Sequence, residues 1–255
     1  MILTIDIGNT HTDVGVGDER RVMRAKKFRS DGWTDEEQKR RFLAFVRRRR
    51  LRVVTVASVV PLVTPVIEAM IRECFGMDCV CLTHRNVVGI GIDYPKPQTI
   101  GTDRLANAMA ATALFPVPVV VVDFGTAVTF DVVDRRGAYV GGIIAPGLGA
   151  MTDYLHEKTA LLPLVTIRDP KRTIGKSTRE AMLVGAVKGY RGLITSLLSE
   201  LKGELGVRRL NVVATGGCAE LVARDLPLVR DVLPLLTLEG LRILAVDCLN
   251  LSQKS

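Results

Sequence analysis

One pattern occurs twice in this chain. Leu3-Thr4-Ile5-Asp6-Ile7-Gly8-Asn9-Thr10 and Val120-Val121-Val122-Asp123-Phe124-Gly125-Thr126-Ala127 each read as an apolar strand, an Asp, one residue, a Gly and a hydroxyl residue, followed by another strand; they lie 117 residues apart. Repetition of a strand–turn–strand unit at that distance predicts two similarly folded domains that face each other across a cleft. At such a turn Gly lets backbone N–H groups approach an anion closely, and Asn and Thr add donors. An Asp at the strand end suits a hydrated magnesium ion. Either turn alone reads equally well as an ordinary hairpin with an Asx residue. Two in register, with Thr215-Gly216-Gly217 opening a late helix, point to a nucleotide whose polyphosphate is gripped from both sides.

The remaining elements follow from periodicity and punctuation. Extended segments Ile2 to Ile7, Thr12 to Val16 and Arg21 to Phe28 form a meander. A helix opens at Asp35 behind a Thr34/Glu37 capping box and carries the apolar stripe Phe42, Phe45 and Val46. A strand at Val53 to Ala57, a helix opening near Pro61 and a short strand at Cys79 to Leu82 follow, and then a polar stretch from His84 to Gly101. An Ala-rich helix spans Thr102 to Leu114; Pro116 and Pro118 end it, so the domain boundary is placed there, giving domains 1–114 and 115–255. The second half reads as strands Val117 to Val122, Thr129 to Val133 and Tyr139 to Ala145, and helices Gly149 to Lys158 and Ser177 to Leu201. A strand Leu210 to Thr215 and helices Cys218 to Arg224 and Leu238 to Leu249 complete it. Strands alternating with helices predict an α/β fold with mixed, partly parallel sheets.

Composition excludes several classes. With 255 residues, 47% of them apolar, and a mean hydropathy of +0.24, the chain is neither disordered nor fibrous. No apolar run approaches the ~20 residues of a membrane span, and Met1 to Asp6 has no leader pattern, so a soluble, unprocessed, cytoplasmic protein is expected. Five cysteines without a C-x-x-C suggest neither a disulfide framework nor a zinc knuckle. The three scattered histidines form no H-E-x-x-H site. Net charge is +8, and Lys39 to Arg52 holds eight basic and no acidic residues, leaving the rest formally neutral. Basic residues at a helix end suit the macrodipole, so Arg47 to Arg50 reads as a solvated end, with a nucleic-acid patch as the alternative. Gly175-Lys176-Ser177 mimics the end of a Walker A loop, but the first glycine is missing; Ser177 and Glu180 form a capping box instead. GxGxxG and GxSxG are also absent.

Asp6-Ile7-Gly8-Asn9-Thr10, Asp123-Phe124-Gly125-Thr126-Ala127 and Thr215-Gly216-Gly217 resemble the phosphate and adenosine motifs of the superfamily of acetate and sugar kinases, heat-shock chaperones and actin. Four further segments narrow the resemblance to the type III pantothenate kinases: Ala57-Ser58-Val59-Val60-Pro61, Gly101-Thr102-Asp103-Arg104, Gly141-Gly142-Ile143-Ile144-Ala145-Pro146-Gly147 and Leu238-Glu239-Gly240-Leu241. It implies two actin-like (ribonuclease H-like) domains, mixed sheets flanked by helices, around a nucleotide cleft. The implied reaction transfers the ATP γ-phosphate to the primary hydroxyl of pantothenate, the first step of coenzyme A synthesis, with Mg2+ and a monovalent cation, K+ or NH4+.

Carried over by motif, the resemblance makes Asp103 the general base and Asp123 the monovalent-cation ligand, with Asp6 also suited to magnesium. Asp6, Ile7, Gly8, Asn9, Thr10, His11, Thr12, Asp13 and Thr126 would serve ATP; Tyr94, Gly101, Thr102, Asp103, Arg104 and Thr178 would contact pantothenate. It also implies a homodimer whose pantothenate pocket is completed at the interface, with Thr178 reaching a neighbouring site. The residues alone leave these roles open. Asp103 reads equally as a first-turn capping carboxylate, Arg104 as a surface ion pair, Tyr94 as a packed loop aromatic, and Thr178 as a helix-start residue. Thr102 stands where the family commonly has Ala. A regulatory protein like the Bvg accessory factors is the alternative on the same fold.

Overall fold

A computed structural model describes residues 1–46 and 50–253. Arg47, Arg48 and Arg49 of the basic run lie outside the described residues. In chain order the strands are β1 (Ile2–Ile7), β2 (His11–Gly17), β3 (Val22–Arg29), β4 (Val53–Ser58), β5 (Cys79–Cys81), β6 (Gly91–Ile92), β7 (Val119–Phe124), β8 (Ala127–Val133), β9 (Ala138–Pro146), β10 (Asn211–Thr215) and β11 (Asp231–Val232). The helices are α1 (Glu36–Val46), α2 (Thr64–Phe75), α3 (Thr102–Leu114), α4 (Leu148–Lys158), α5 (Thr178–Val184), α6 (Tyr190–Glu204), α7 (Ala219–Ala223) and α8 (Leu236–Ser252).

The chain forms two compact units. Residues Met1–Leu114, Gly137–Val140 and the chain from Leu235 make the first; Phe115–Arg136 and Gly141–Pro234 make the second. The repeat is visible in their sheets. In the first unit the order is β3-β2-β1-β4-β5, and β9-β8-β7-β10-β11 is its counterpart. In each, the central strand pairs antiparallel with its hairpin partner and parallel with the next strand, β1 with β4 and β7 with β10. The alternating or continuous apolar runs explain the burial: Leu3, Ile5 and Ile7 of β1 and Val119 to Val122 of β7 are fully buried.

The contiguous 115–255 domain expected from the sequence needs correction, because α8 belongs to the first unit. The Leu238-Glu239-Gly240-Leu241 segment explains why. A Cβ on Gly240 would overlap the Ala106 carbonyl, so only glycine lets α8 lie this close to α3. Glu239 Oε1 accepts the Val22 amide at 2.7 Å, Thr55 Oγ1 donates to the Leu241 carbonyl at 3.0 Å, and Thr237 Oγ1 donates to Asn107 Oδ1 at 2.8 Å. A 3.6-residue apolar period marks α8 as a helix but does not name the sheet it covers.

Three local expectations also shift. The α1 cap is Asp35, whose Oδ1 accepts the Glu37 amide at 2.9 Å, rather than Thr34. The helix expected near Pro61 starts at Thr64, because the Ser58 hydroxyl takes the Val60 amide at 3.1 Å and holds that stretch in a turn. The long helix from Ser177 is interrupted by a π-helical segment, Gly185–Gly189, where two glycines weaken the α register.

Candidate active site

In the first unit the turn between β1 and β2 is closed by the Gly8 amide donating to the His11 carbonyl at 3.0 Å, which leaves Asn9, Thr10 and His11 exposed. Beneath it, Thr12 is fully buried and its hydroxyl accepts from Trp33 Nε1 at 3.1 Å and bonds the Ser30 hydroxyl at 3.0 Å. Ser30 Oγ in turn donates to the Gly8 carbonyl at 2.5 Å. An aromatic cluster of Phe28, Trp33 and Phe42 packs below this network. The side chains of Ile7 and Thr12, both expected to serve ATP, therefore face the core and support the turn from beneath. Pairing registers put Lys27, Asp13, Asp6 and Ala57 side by side across β3, β2, β1 and β4, so their side chains share one face. Burial pushes the Asp13 carboxyl up, and Lys27, 3.5 Å away, opposes that shift.

In the second unit the turn between β7 and β8 is closed by the Gly125 amide on the Ala127 carbonyl at 3.1 Å. Its braces are backbone. The Gly147 amide donates to the Thr126 carbonyl at 3.1 Å, and the Cys218 amide donates to the Phe124 carbonyl at 3.2 Å. A Cβ on Gly147 would come within 2.5 Å of the Gly125 carbonyl oxygen, and one on Gly216 would come within 2.6 Å of the Phe124 nitrogen and overlap Asp123 Oδ1. Gly216 also has φ +92°, a left-handed conformation that favours glycine. The register row here is Thr129, Asp123, Thr215 across β8, β7 and β10. Among the described residues no group of three or more His, Cys, Asp or Glu gathers as a metal cage. The Asp6 and Asp13 carboxylates on one face and the Asp123–threonine row offer oxygen donors of the kind hard cations take.

The Gly101-Thr102-Asp103-Arg104 segment opens α3, in the first unit. Thr102 Oγ1 accepts from the Ser58 amide at 2.8 Å and donates to the Ser58 carbonyl at 3.0 Å. Its hydroxyl is thus committed to clamping α3 onto the end of β4. Asp103 Oδ1 accepts the Arg104 amide at 2.8 Å, and a Cβ on Gly101 would overlap that same oxygen. Burial pushes the Asp103 carboxyl up from its ordinary value; the Arg104 amide and charge pull against it. The Arg104 guanidinium lies 5.8 Å from the centroid of the Tyr139 ring, and Tyr94 meets that ring at 6.2 Å and 66°. A cavity of about 300 Å3 lined by Thr83, His84, Arg85, Gln98, Ile100 and Thr102 opens beside the segment.

Thr178, in the second unit, is the exposed first residue of α5 behind the Ser177 cap. The Glu180 amide donates to Ser177 Oγ at 3.3 Å, and Glu180 Oε2 accepts the Lys176 amide at 2.7 Å. Two residues escaped the sequence reading. Tyr139 looks like any strand aromatic in a period-2 pattern. Ser58, the hub for Thr102, Val60 and Thr64, stood only as one member of a motif. The thiols of Cys79 and Cys81 are pushed up to about 12 by burial, which makes them inert at neutral pH.

Residues 2–200 match the family described as Type III pantothenate kinase. A protein named Type III pantothenate kinase from Akkermansia muciniphila is 51% identical over 197 residues, 77% of this chain and 79% of its own length. One of the same name from Desulfosudis oleivorans is 38% identical over 251 residues, 96% and 98% of the two chains. Among solved structures, a Baf family transcriptional activator from Campylobacter jejuni superposes with a TM-score of 0.63 at 19% identity, covering 97% of this chain and 99% of that one. Component A of (R)-2-hydroxyglutaryl-CoA dehydratase from Acidaminococcus fermentans reaches 0.52 at 16%, covering 96% of each. At such identities these two structures speak for the fold alone.

Proposed function

The chain belongs to the type III pantothenate kinase family, whose members phosphorylate pantothenate in coenzyme A biosynthesis, and from that premise we propose how its residues divide the work. Asp103 is the general base. Its oxygen accepts the proton of the pantothenate primary hydroxyl as that hydroxyl oxygen bonds to the γ-phosphorus, and the bond to the β–γ bridging oxygen breaks to release ADP. A carboxyl pushed up by burial holds that proton better than an exposed one, which is what a base needs. Arg104 pairs with the substrate carboxylate, and Tyr94 and the backbone of Gly101 and Thr102 line the same site.

The turn Gly8-Asn9-Thr10 presents amide and side-chain donors to the ATP phosphates, and Thr126 does the same from the second turn. Asp6, with Asp13 on the same face, would hold magnesium, whose charge would offset that on the transferred phosphoryl group. Asp123, flanked by two neutral hydroxyls in its row, suits a singly charged cation, K+ or NH4+. The chain acts as a homodimer in which Thr178 reaches the partner's pantothenate site. Supporting this, Leu161, Leu164, Ile174 and Tyr154, all in or beside the stretch leading to Thr178, are 90%, 59%, 71% and 63% exposed. No described helix is long and apolar enough to cross a membrane.

The observation that carries this reading is the G-x-D-R segment, with a half-buried, hydrogen-bonded carboxylate next to an arginine seated on an aromatic ring. The test is ADP formation by purified protein with and without pantothenate, and with Mg2+ and K+ or NH4+ varied separately. ADP should form only with pantothenate and Mg2+ and should increase with the monovalent cation. ATP consumption indifferent to pantothenate would end the assignment. A transcriptional regulator on this fold is not favoured, because the relatives with 51% and 38% identity are kinases by name.

A further inference from the structure

We propose that Tyr139 is the positioning residue of the pantothenate site: its buried ring holds the Arg104 guanidinium and the Tyr94 ring in the single arrangement that receives the acceptor. The inference rests on the acceptor-site reading above and extends it to a residue that no chemical step uses.

Tyr139 is fully buried, yet two residues assigned to pantothenate meet on its ring. The guanidinium, at 5.8 Å, sits within the range of a cation–π contact, drawn by the negative face of the ring. Tyr94 packs against the ring in a T-shaped geometry at 6.2 Å. The backbone of Tyr139 fixes the Tyr94 loop as well. Its carbonyl accepts the Asp93 amide at 2.9 Å, the Gly91 amide donates to the Gly137 carbonyl at 2.9 Å, and Ile92 pairs with Tyr139 in the parallel β6–β9 ladder. One strand residue thereby connects a loop aromatic and a helix-borne arginine that are ten residues apart in sequence and differ in local structure.

The physical need is clear. An arginine side chain samples many rotamers, and fixing it on substrate binding costs conformational entropy. Tyr94 is 37% exposed and belongs to a short loop, so it too requires a partner to stay in place. A rigid, buried ring that touches both carries that ordering before the substrate arrives. A tyrosine serving only as core filling needs neither a guanidinium on its face nor a binding-loop aromatic at its edge.

The test compares Tyr139→Phe, Tyr139→Leu, Arg104→Met and the double variant Tyr139→Leu/Arg104→Met for kcat, the KM of each substrate and thermal unfolding. Loss of the cation–π and ring contacts in Tyr139→Leu should raise KM for pantothenate about tenfold while KM for ATP stays within about twofold, and Tyr139→Phe should stay within about threefold of the parent. In the Arg104→Met background, Tyr139→Leu should add less than about threefold, because the two act through one contact. Should Tyr139→Leu fail to fold, pentafluorophenylalanine at position 139 keeps the ring shape and reverses its quadrupole. It should raise KM for pantothenate about threefold over Tyr139→Phe. Equal rises in both KM values, or no change with the fluorinated ring, would overturn the proposal. If Arg104→Met raises KM for pantothenate and Tyr139→Leu does not, the positioning role alone fails. If Arg104→Met leaves it unchanged, the acceptor-site reading itself fails.

Discussion

At the end of β1 the phosphate turn is held from below by side chains, the Ser30 and Thr12 hydroxyls and the Trp33 indole, over an aromatic cluster. At the end of β7 a shorter turn, closed by Gly125 on Ala127 rather than by Gly8 on His11, is held by backbone, with Gly147 and Gly216 packed against Gly125, Phe124 and Asp123 so closely that neither has room for a Cβ. The rows of residues beside the two aspartates differ as well. Asp6 has a second carboxylate and a lysine along its row, whereas Asp123 has two threonines. One repeated strand–turn–strand pattern thus carries two turn lengths, two kinds of brace and two electrostatic surroundings. A turn braced by side chains fails through lost hydrogen bonds, and one braced by close backbone approach fails through added atoms.

With Asp103 as the proposed base, outside both turns, Asp103→Asn sets the scale against which both are measured. It should lower kcat by about 10² to 10⁴, the usual worth of a positioned base. Burial raises the folded-state pKa of Asp103 above its unfolded value. Ionisation therefore costs stability at all pH values above the folded pKa, and that cost disappears as pH falls below the unfolded value. The Asn variant should accordingly unfold at the same temperature as the parent or higher at pH 7, which a thermal melt checks. The acid limb of kcat/KM should also lie above the range of an exposed carboxylate and be absent in the variant.

Next in size is the ion exchange between the turns. Asp6→Asn and Asp123→Asn should each cost about 10² to 10³ in kcat, as loss of one electrostatic stabiliser does. Only Asp6→Asn should raise the Mg2+ concentration needed for half-maximal rate, and only Asp123→Asn should abolish the response to K+ or NH4+. Titration of each ion against each variant reads this; identical responses would remove the electrostatic difference between the two rows.

The braces give the smaller effects. Gly216→Ala meets both a left-handed φ and backbone atoms and should destabilise by about 2 to 4 kcal/mol, seen as a lower denaturant midpoint. Gly8→Ala, whose Cβ would meet only the His11 carbonyl oxygen at 3.0 Å, should cost less than half as much by the same measurement. Thr12→Val removes two buried hydrogen bonds at the first turn and strands the Trp33 N–H, for about 1 to 3 kcal/mol. By contrast Thr129→Val, beside Asp123 in the second row, touches none of that turn's braces and should leave stability within about 1 kcal/mol.

The two turns, the alternation of strands and helices, and the Thr102–Leu114 helix were legible because each is written in consecutive residues: a glycine at a strand end, a period of two, an Ala-rich stretch closed by prolines. The inward-facing roles of Ile7 and Thr12 were not legible. A motif names positions along the chain, and alternation in β1 and β2 sends some of them to the core. Thr102 was noted as a departure from its family, but the use of its hydroxyl depended on Ser58, forty-four residues earlier.

By itself, then, the sequence determined the repeat, the two aspartate-bearing turns and the G-x-D-R segment, since all of these follow from local backbone preference and from the chemistry of adjacent residues. Tertiary structure alone decided that α8 closes the first unit, that Thr102 clamps β4, and that Tyr139 lies beneath both Arg104 and Tyr94. Those outcomes rest on close packing between residues far apart in the chain, where one Cβ on Gly240 or one hydroxyl on Thr102 selects among arrangements that periodicity treats as equal.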